Sequence, residues 1–230
     1  MVQDPYFGRS EISNSDLSAL QELLHPKPQF GDKEYAYAFG TLLDNLITEP
    51  DKVDLFNLTV KYQTYRYTTE DFELAKAMKR AYYKDPFAKM ISDAADFQAI
   101  STRYNWLMNY NGFDFTLEAG TRCKWDLLVR AWKMGGDIKS TAAETQSQFE
   151  AACEHFGYFR SRAWYMDIEG TNKDMLIGIS KKNQKIFKIA IDRNAPITDM
   201  SRKLYEHGKA QYEELAFKYW LLFDGLKIAS

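Results

Sequence analysis

At 230 residues, 45% hydrophobic and 27% charged, the chain reads as one globular domain spanning 1–230, long enough for a substantial core. Its 30 basic and 32 acidic side chains leave a net charge of −2, which excludes a global basic field and confines any nucleic-acid contact to a local groove. Cys123 and Cys153 are too few for a disulfide framework or a four-Cys cluster, Met1 to Ser10 lacks an apolar signal segment, and no apolar run reaches membrane length. A soluble protein of a reducing, cytoplasmic compartment is expected, without a membrane partner.

Asn14 or Ser15 is a candidate N-cap for a first helix with Leu17, Leu20, Leu23 and Leu24 inward, ended by Pro26 and Pro28. Asp32 to Thr48 predicts a second, since Tyr35, Phe39, Leu42, Leu43, Leu46 and Ile47 keep helical spacing. Asp44 falls well off that stripe, as a solvated carboxylate would. Phe56 to Tyr67 has strand-like composition without alternation. Thr69 then caps a helix through Ala81 with Phe72, Ala75 and Met78 inward. Its end mixes Lys79, Arg80, Tyr82 and Tyr83, which suits a nucleic-acid backbone with stacked bases and equally suits the negative end of a helix dipole. Pro86 to Ile100 predicts a helix, and Thr102 to Leu117 an extended stretch broken by Asn111-Gly112. Glu118-Ala119-Gly120 turns the chain; Glu118 is either a solvated turn carboxylate or an outer neighbour of a metal.

Residues 123 to 132 alternate, with Cys123, Trp125, Leu127, Val129 and Ala131 on one face and Lys124, Asp126, Leu128, Arg130 and Trp132 on the other. Gly135-Gly136 sits near the expected reversal, and Asp137 and Lys139 share a face of the short run that follows. If Asp126 lies opposite an odd-numbered residue such as 137, 139 or 141, the three charges converge. Such a cluster forms an ordinary salt bridge on a solvated strand. It also has the parts of metal-assisted phosphodiester hydrolysis, namely hard oxygens for Mg2+ and a cation beside the attacking water.

Thr141 to Glu144 reads as a capping box starting a helix to about Phe156, with Phe149, Ala152, Cys153 and Phe156 inward. His25, His155 and His207 are scattered, so no zinc site is expected. After Gly157, Tyr158 to Met166 predicts a basic helix with an aromatic side. Residues 174–180 and 185–191 predict a strand pair, the first a continuous apolar run from Met175 to Ile179, as in a central strand. Thr198 to Phe223 predicts a closing helix with Met200, Leu204, Ala210, Leu215, Tyr219 and Leu222 at helical spacing.

Asp126 followed by Asp137-Ile138-Lys139-Ser140-Thr141 resembles the PD-(D/E)xK nuclease signature, in the form found in RecE (exonuclease VIII)-like and lambda-exonuclease-like phage recombination exonucleases. Three further segments resemble that family in the same order. Ile12 to Leu17 is similar to its "ISxSxL" opening. Phe39 to Asp44 with Glu49-Pro50 is similar to "GTxxH…EP", and Tyr158 to Tyr165 to "YxRQAAxY". Asp44 stands where the family has His, Ser161 where it has Gln, and Arg162 where it has Ala.

The resemblance implies an α/β, restriction-endonuclease-like core with a mixed β-sheet flanked by helices. It implies a Mg2+-dependent DNA exonuclease, with Mn2+ as a substitute ion. Asp126 and Asp137 would bind metal, the Ile138 carbonyl and Asp44 would complete the shell, and Lys139 would position the attacking water. Arg160, Ser161, Arg162 and Tyr165 would face DNA, joined by Lys79 and Arg80. Expected partners are double-stranded DNA ends, further copies of the chain in a homo-oligomer and a single-strand annealing protein, in a bacterial or phage-infected cell. Two other readings stand beside this one: an endonuclease of the same fold, and a catalytically impaired module that binds DNA or protein.

Overall fold

The computed structural model describes residues 6–26 and 32–225. Pro28 and Met1 to Pro5 of the polar N-terminal stretch lie outside the described residues. The elements are α1 (Asn14–Leu24), α2 (Lys33–Thr48), β1 (Val53–Asp54), β2 (Thr59–Val60), α3 (Thr69–Lys84), α4 (Pro86–Ala94), β3 (Asp96–Arg103), β4 (Met108–Tyr110), β5 (Phe113–Phe115), β6 (Thr121–Val129), β7 (Met134–Thr141), α5 (Gln146–His155), α6 (Tyr158–Glu169), β8 (Lys173–Ser180), β9 (Ile186–Asp192) and α7 (Met200–Phe223).

The main sheet has five strands in the order β3-β6-β7-β8-β9. Only the β7–β8 pair is parallel, and α5 and α6 form its crossover. The sheet is therefore mixed and flanked by helices, as expected. One face carries Leu127, Val129, Ile138, Ile177 and Ile179 against buried side chains of α2, α3 and α4. The other carries Cys123, Trp125, Leu128, Leu176, Phe187 and Ile191 against α5, α6 and α7, with Leu17 of α1. Among the described residues, no helix is long and apolar enough to cross a membrane.

Local chemistry explains most boundaries. Asp32 accepts a hydrogen bond from Tyr35 N at 2.9 Å and starts α2, while Thr68 and Asp71 cap α3 reciprocally. Asn111 and Gly112 both take positive φ, which closes the β4–β5 hairpin with the twist of its strands. Gly157, at φ 68, separates α5 from α6.

Several boundaries differ from expectation. The cap of α1 is Ser13, whose N–H donates to the Asp16 carboxylate at 2.7 Å, and Leu23 and Leu24 at its end are exposed. Residues 96–100 are strand, because α4 ends at Ala94 and the chain pairs with β6. Helix α5 begins at Gln146, capped by Thr145; Thr141 still belongs to β7, where its register partner is Ser180. Phe156 is exposed instead of inward, and of the helically spaced apolar set in α7, Met200, Ala210 and Leu222 are exposed.

The reversal between β6 and β7 is not made by the glycines. A 3-10 turn, Arg130–Trp132, and Lys133 in the left-handed region at φ 46 turn the chain, and Gly135 and Gly136 lie within β7. Gly135 is there for space: a Cβ would fall 1.9 Å from a ring carbon of Trp125, whose indole crosses the strand. Gly40, by contrast, leaves 3.8 Å to Ser140 Oγ, so the approach of α2 to β7 does not require a glycine.

Candidate active site

The predicted alternation along β6 breaks at Asp126. Cys123 and Trp125 enter one core, Leu127 and Val129 enter the other, and Leu128 joins the first. Neighbouring β3 shows the cause. Its pairs run Phe97–Leu127 and Ala99–Trp125, and between them Gln98, opposite Asp126, adopts φ 52. A non-glycine residue with positive φ inside a strand is strained, and the strain re-aims the side chains on either side of it. On the other flank, the β6–β7 ladder covers Val129–Met134, Leu128–Gly135 and Leu127–Gly136. One further step would set Asp126 against Asp137, and there the Asp126 carboxylate itself takes the Ile138 N–H at 2.7 Å. A side chain thus satisfies a backbone donor where the strands part.

Asp137 and Lys139 share the opposite side of β7 from Ile138, which is buried against α2 to α4. Lys139 Nζ stands 2.7 Å from Asp137 Oδ2 and 5.2 Å from the centroid of the Tyr158 ring, at the start of α6. Arg162, one helical turn further on, places Nη1 3.2 Å from Asp137 Oδ1. On the α2 side, Asp44 accepts from Gln98 Nε2 at 3.2 Å on each oxygen and from Thr48 Oγ1 at 3.2 Å.

The electrostatics follow from this crowding. Burial and then the charge of Asp137 push the Asp126 carboxyl up to about 6. Burial and then Asp126 raise Asp44 as well. Burial also opposes ionisation of Asp137, but Arg162 and Lys139 outweigh it and hold that carboxyl below its ordinary range. Burial opposes the charge on Lys139 too, yet Asp137 and Asp126 keep it firmly an ammonium. It can donate hydrogen bonds and offset negative charge; it cannot act as a base near neutral pH. Asp126 and Asp44 remain partly exposed, and the Lys139 side chain is 26% exposed, so solutes can reach all three.

The remaining predicted residues divide. Arg160 is corrected: it is buried and donates to Asn14 Oδ1 at 3.1 Å, Ser18 Oγ at 2.6 Å and Gln21, tying α6 to α1 instead of facing solvent. Arg162 is corrected likewise, being 1% exposed and turned inward to Asp137. The buried Ser161 donates to the Tyr158 carbonyl at 2.8 Å, a bond within its own helix. Tyr165 packs edge-on against Trp125 with the Arg162 guanidinium 4.0 Å from its ring centroid. Lys79 donates to the Leu46 carbonyl near the end of α2, and the neighbouring Arg80 is exposed. Glu118, at its turn, gives its N–H to Asp224 Oδ2 at 3.2 Å.

Three contributors escaped the sequence. Gln98 carries no local signature of its position, and Tyr158 opens the segment similar to "YxRQAAxY" without a signal that marks it as a neighbour of Lys139. Asp174, near the start of β8, has a fully buried side chain 3.8 Å from Arg162 Nη1, and burial pushes its carboxyl up to about 7. An acid opening an otherwise apolar strand is the one hint that was available.

As a metal site the donors fit in kind. Asp126 and Asp137 are hard oxygen ligands, and the unfavourable ionisation of Asp126 is what a divalent cation would relieve. Among the described residues, no three His, Cys, Asp or Glu side chains stand close enough to hold a metal, so Asp44 takes part through charge and not as an assembled third ligand.

No family model matches the chain, and no curated protein matches its sequence. Solved structures that it resembles include the protein SSO0001, at 14% identity over 84% of this chain and 83% of that one, with a TM-score of 0.33. A phage related exonuclease from Haemophilus somnus 129PT aligns at 12% identity over 93% and 98%, TM-score 0.40. An alkaline exonuclease from Laribacter hongkongensis aligns at 12% over 98% and 97%, TM-score 0.34.

Proposed function

We propose that the protein is a divalent-metal-dependent deoxyribonuclease that hydrolyses DNA from duplex ends. The observation that carries this reading is the convergence of Asp126, Asp137 and Lys139 where β6 and β7 separate, with one acid made reluctant to ionise and one cation held charged. Asp126 and Asp137 would hold Mg2+, or Mn2+ in its place, with the Ile138 carbonyl, while the facing Asp44 adds its charge from across the opening. The ion, when bound, supplies an activated water and offsets charge on the phosphate.

The chain's own groups do the rest. Asp126, anchored by the Ile138 N–H, keeps one oxygen fixed to the strand and so points the carboxylate at the opening. Lys139 is steered by Asp137 and the Tyr158 ring, and its ammonium can donate to the attacking water and to the charge developing on phosphorus. Gln98 and Thr48 orient Asp44 across the opening.

Incubation of linear and closed-circular duplex DNA with Mg2+ or Mn2+ tests the proposal. Nucleotides should be released from linear DNA alone, with Lys139→Ala reduced about 100- to 1,000-fold and Asp137→Ala inactive. Nicking of circles would make the enzyme an endonuclease.

A second reading is favoured by one observation: both Asp137 oxygens already face the protein's own cations, Arg162 and Lys139. On that reading the chain binds DNA or protein without cutting, and it should be inert with either ion while retaining salt-sensitive DNA binding.

A further inference from the structure

Of the two cations on Asp137, one can leave and the other cannot. Lys139 is partly exposed on a flexible four-carbon stem, so its ammonium can swing off Oδ2. Arg162 is 1% exposed, with its guanidinium 4.0 Å from the Tyr165 ring centroid and 5.4 Å from that of Trp125. Moving it would open the core between α6 and the sheet. Asp174 explains how so buried a guanidinium is tolerated. Its side chain is wholly buried, neither oxygen has a hydrogen-bond partner among the described residues, and Arg162 Nη1 stands 3.8 Å away. Each of the two charges makes the other's burial bearable, and neither faces solvent.

We infer that Arg162, fixed in the core beside Asp174, is a positioning residue that keeps a permanent positive charge 3.2 Å from Oδ1 of Asp137 and so weakens the hold of that carboxylate on a divalent cation. The inference rests on Asp126 and Asp137 being the metal ligands proposed above. A fixed positive charge beside a ligand oxygen repels the ion that the ligand would bind.

Mn2+ titration of the metal-free protein, followed by electron paramagnetic resonance, provides a readout separate from cleavage. Arg162→Met should bind Mn2+ about tenfold more tightly than the wild type, whereas Arg162→Lys, which keeps the charge, should stay near it. Should Arg162→Met fail to fold with Asp174 left unpaired, Arg162→Met/Asp174→Asn still removes the guanidinium charge beside Asp137 and should shift affinity in the same direction. Affinity unchanged or weakened in whichever of these variants folds overturns the inference. Asp126→Asn separates the two layers of the argument. If it abolishes Mn2+ binding while Arg162→Met leaves affinity unmoved, the positioning role alone is wrong. If the wild type binds no Mn2+, or binding survives Asp126→Asn, the metal reading falls and this inference with it.

Discussion

Asp126→Asn should make the protein more stable while removing its activity. The rise of the Asp126 carboxyl from 3.8 to about 6 measures how much folding penalises its charge. It corresponds to at most about 3 kcal/mol, an upper bound because the group keeps partial access to water. Asparagine can still accept the Ile138 N–H, but a neutral acceptor is weaker by about 1 kcal/mol. The expected gain near neutral pH is therefore about 1–2 kcal/mol. Its sign follows from linkage. The folded state holds the Asp126 proton more tightly than the unfolded chain does, so the wild type loses this contribution as pH rises from about 4 to about 6, and the variant does not. Urea unfolding of both proteins below about pH 4 and above about pH 7 should show the difference small in acid and full at neutrality. A variant less stable than the wild type at neutral pH, or a difference flat with pH, would refute the electrostatic account of the site.

Three further outcomes are expected. Cleavage and Mn2+ affinity should both fall as pH drops through about 6, approaching tenfold per pH unit in the acid limb, because the proton and the metal compete for Asp126; a profile level to about pH 4 would contradict this. Gly135→Ala should cost about 3 kcal/mol or prevent folding, because the added methyl would meet the Trp125 ring at 1.9 Å; thermal or urea unfolding reads the loss directly. Arg160→Met should lose about 3 kcal/mol with its bonds to Asn14, Ser18 and Gln21. The salt dependence of DNA binding should stay the same in that variant, and a shallower slope would return Arg160 to the phosphate contacts.

What the sequence determined by itself is local. Periodicity identified α2 and its inward stripe from Phe39 to Ile47; the apolar run at 174–180 read as a central strand, and Asn111-Gly112 marked a tight hairpin. Each of these signals lies within one element, where spacing and turn chemistry are enough. The nearness of Asp126, Asp137 and Lys139 was legible only conditionally, since it depended on a register that a strand does not encode alone. Tertiary structure decided that register, and it decided it through distant residues. Trp125 demanded a glycine at 135 and so drew Gly135 and Gly136 away from the turn, while Gln98 bent the neighbouring strand opposite Asp126. The fate of the arginines was equally hidden. Arg160 and Arg162 are two apart on α6, and one is consumed by α1, the other by Asp137 and Asp174. Helical spacing gives the angle at which a side chain leaves its axis, but what it meets there depends on chain more than 100 residues away in the case of Arg160 and Asn14. Charge is felt through space, and the spacing of residues along a chain says little about it until the fold has closed.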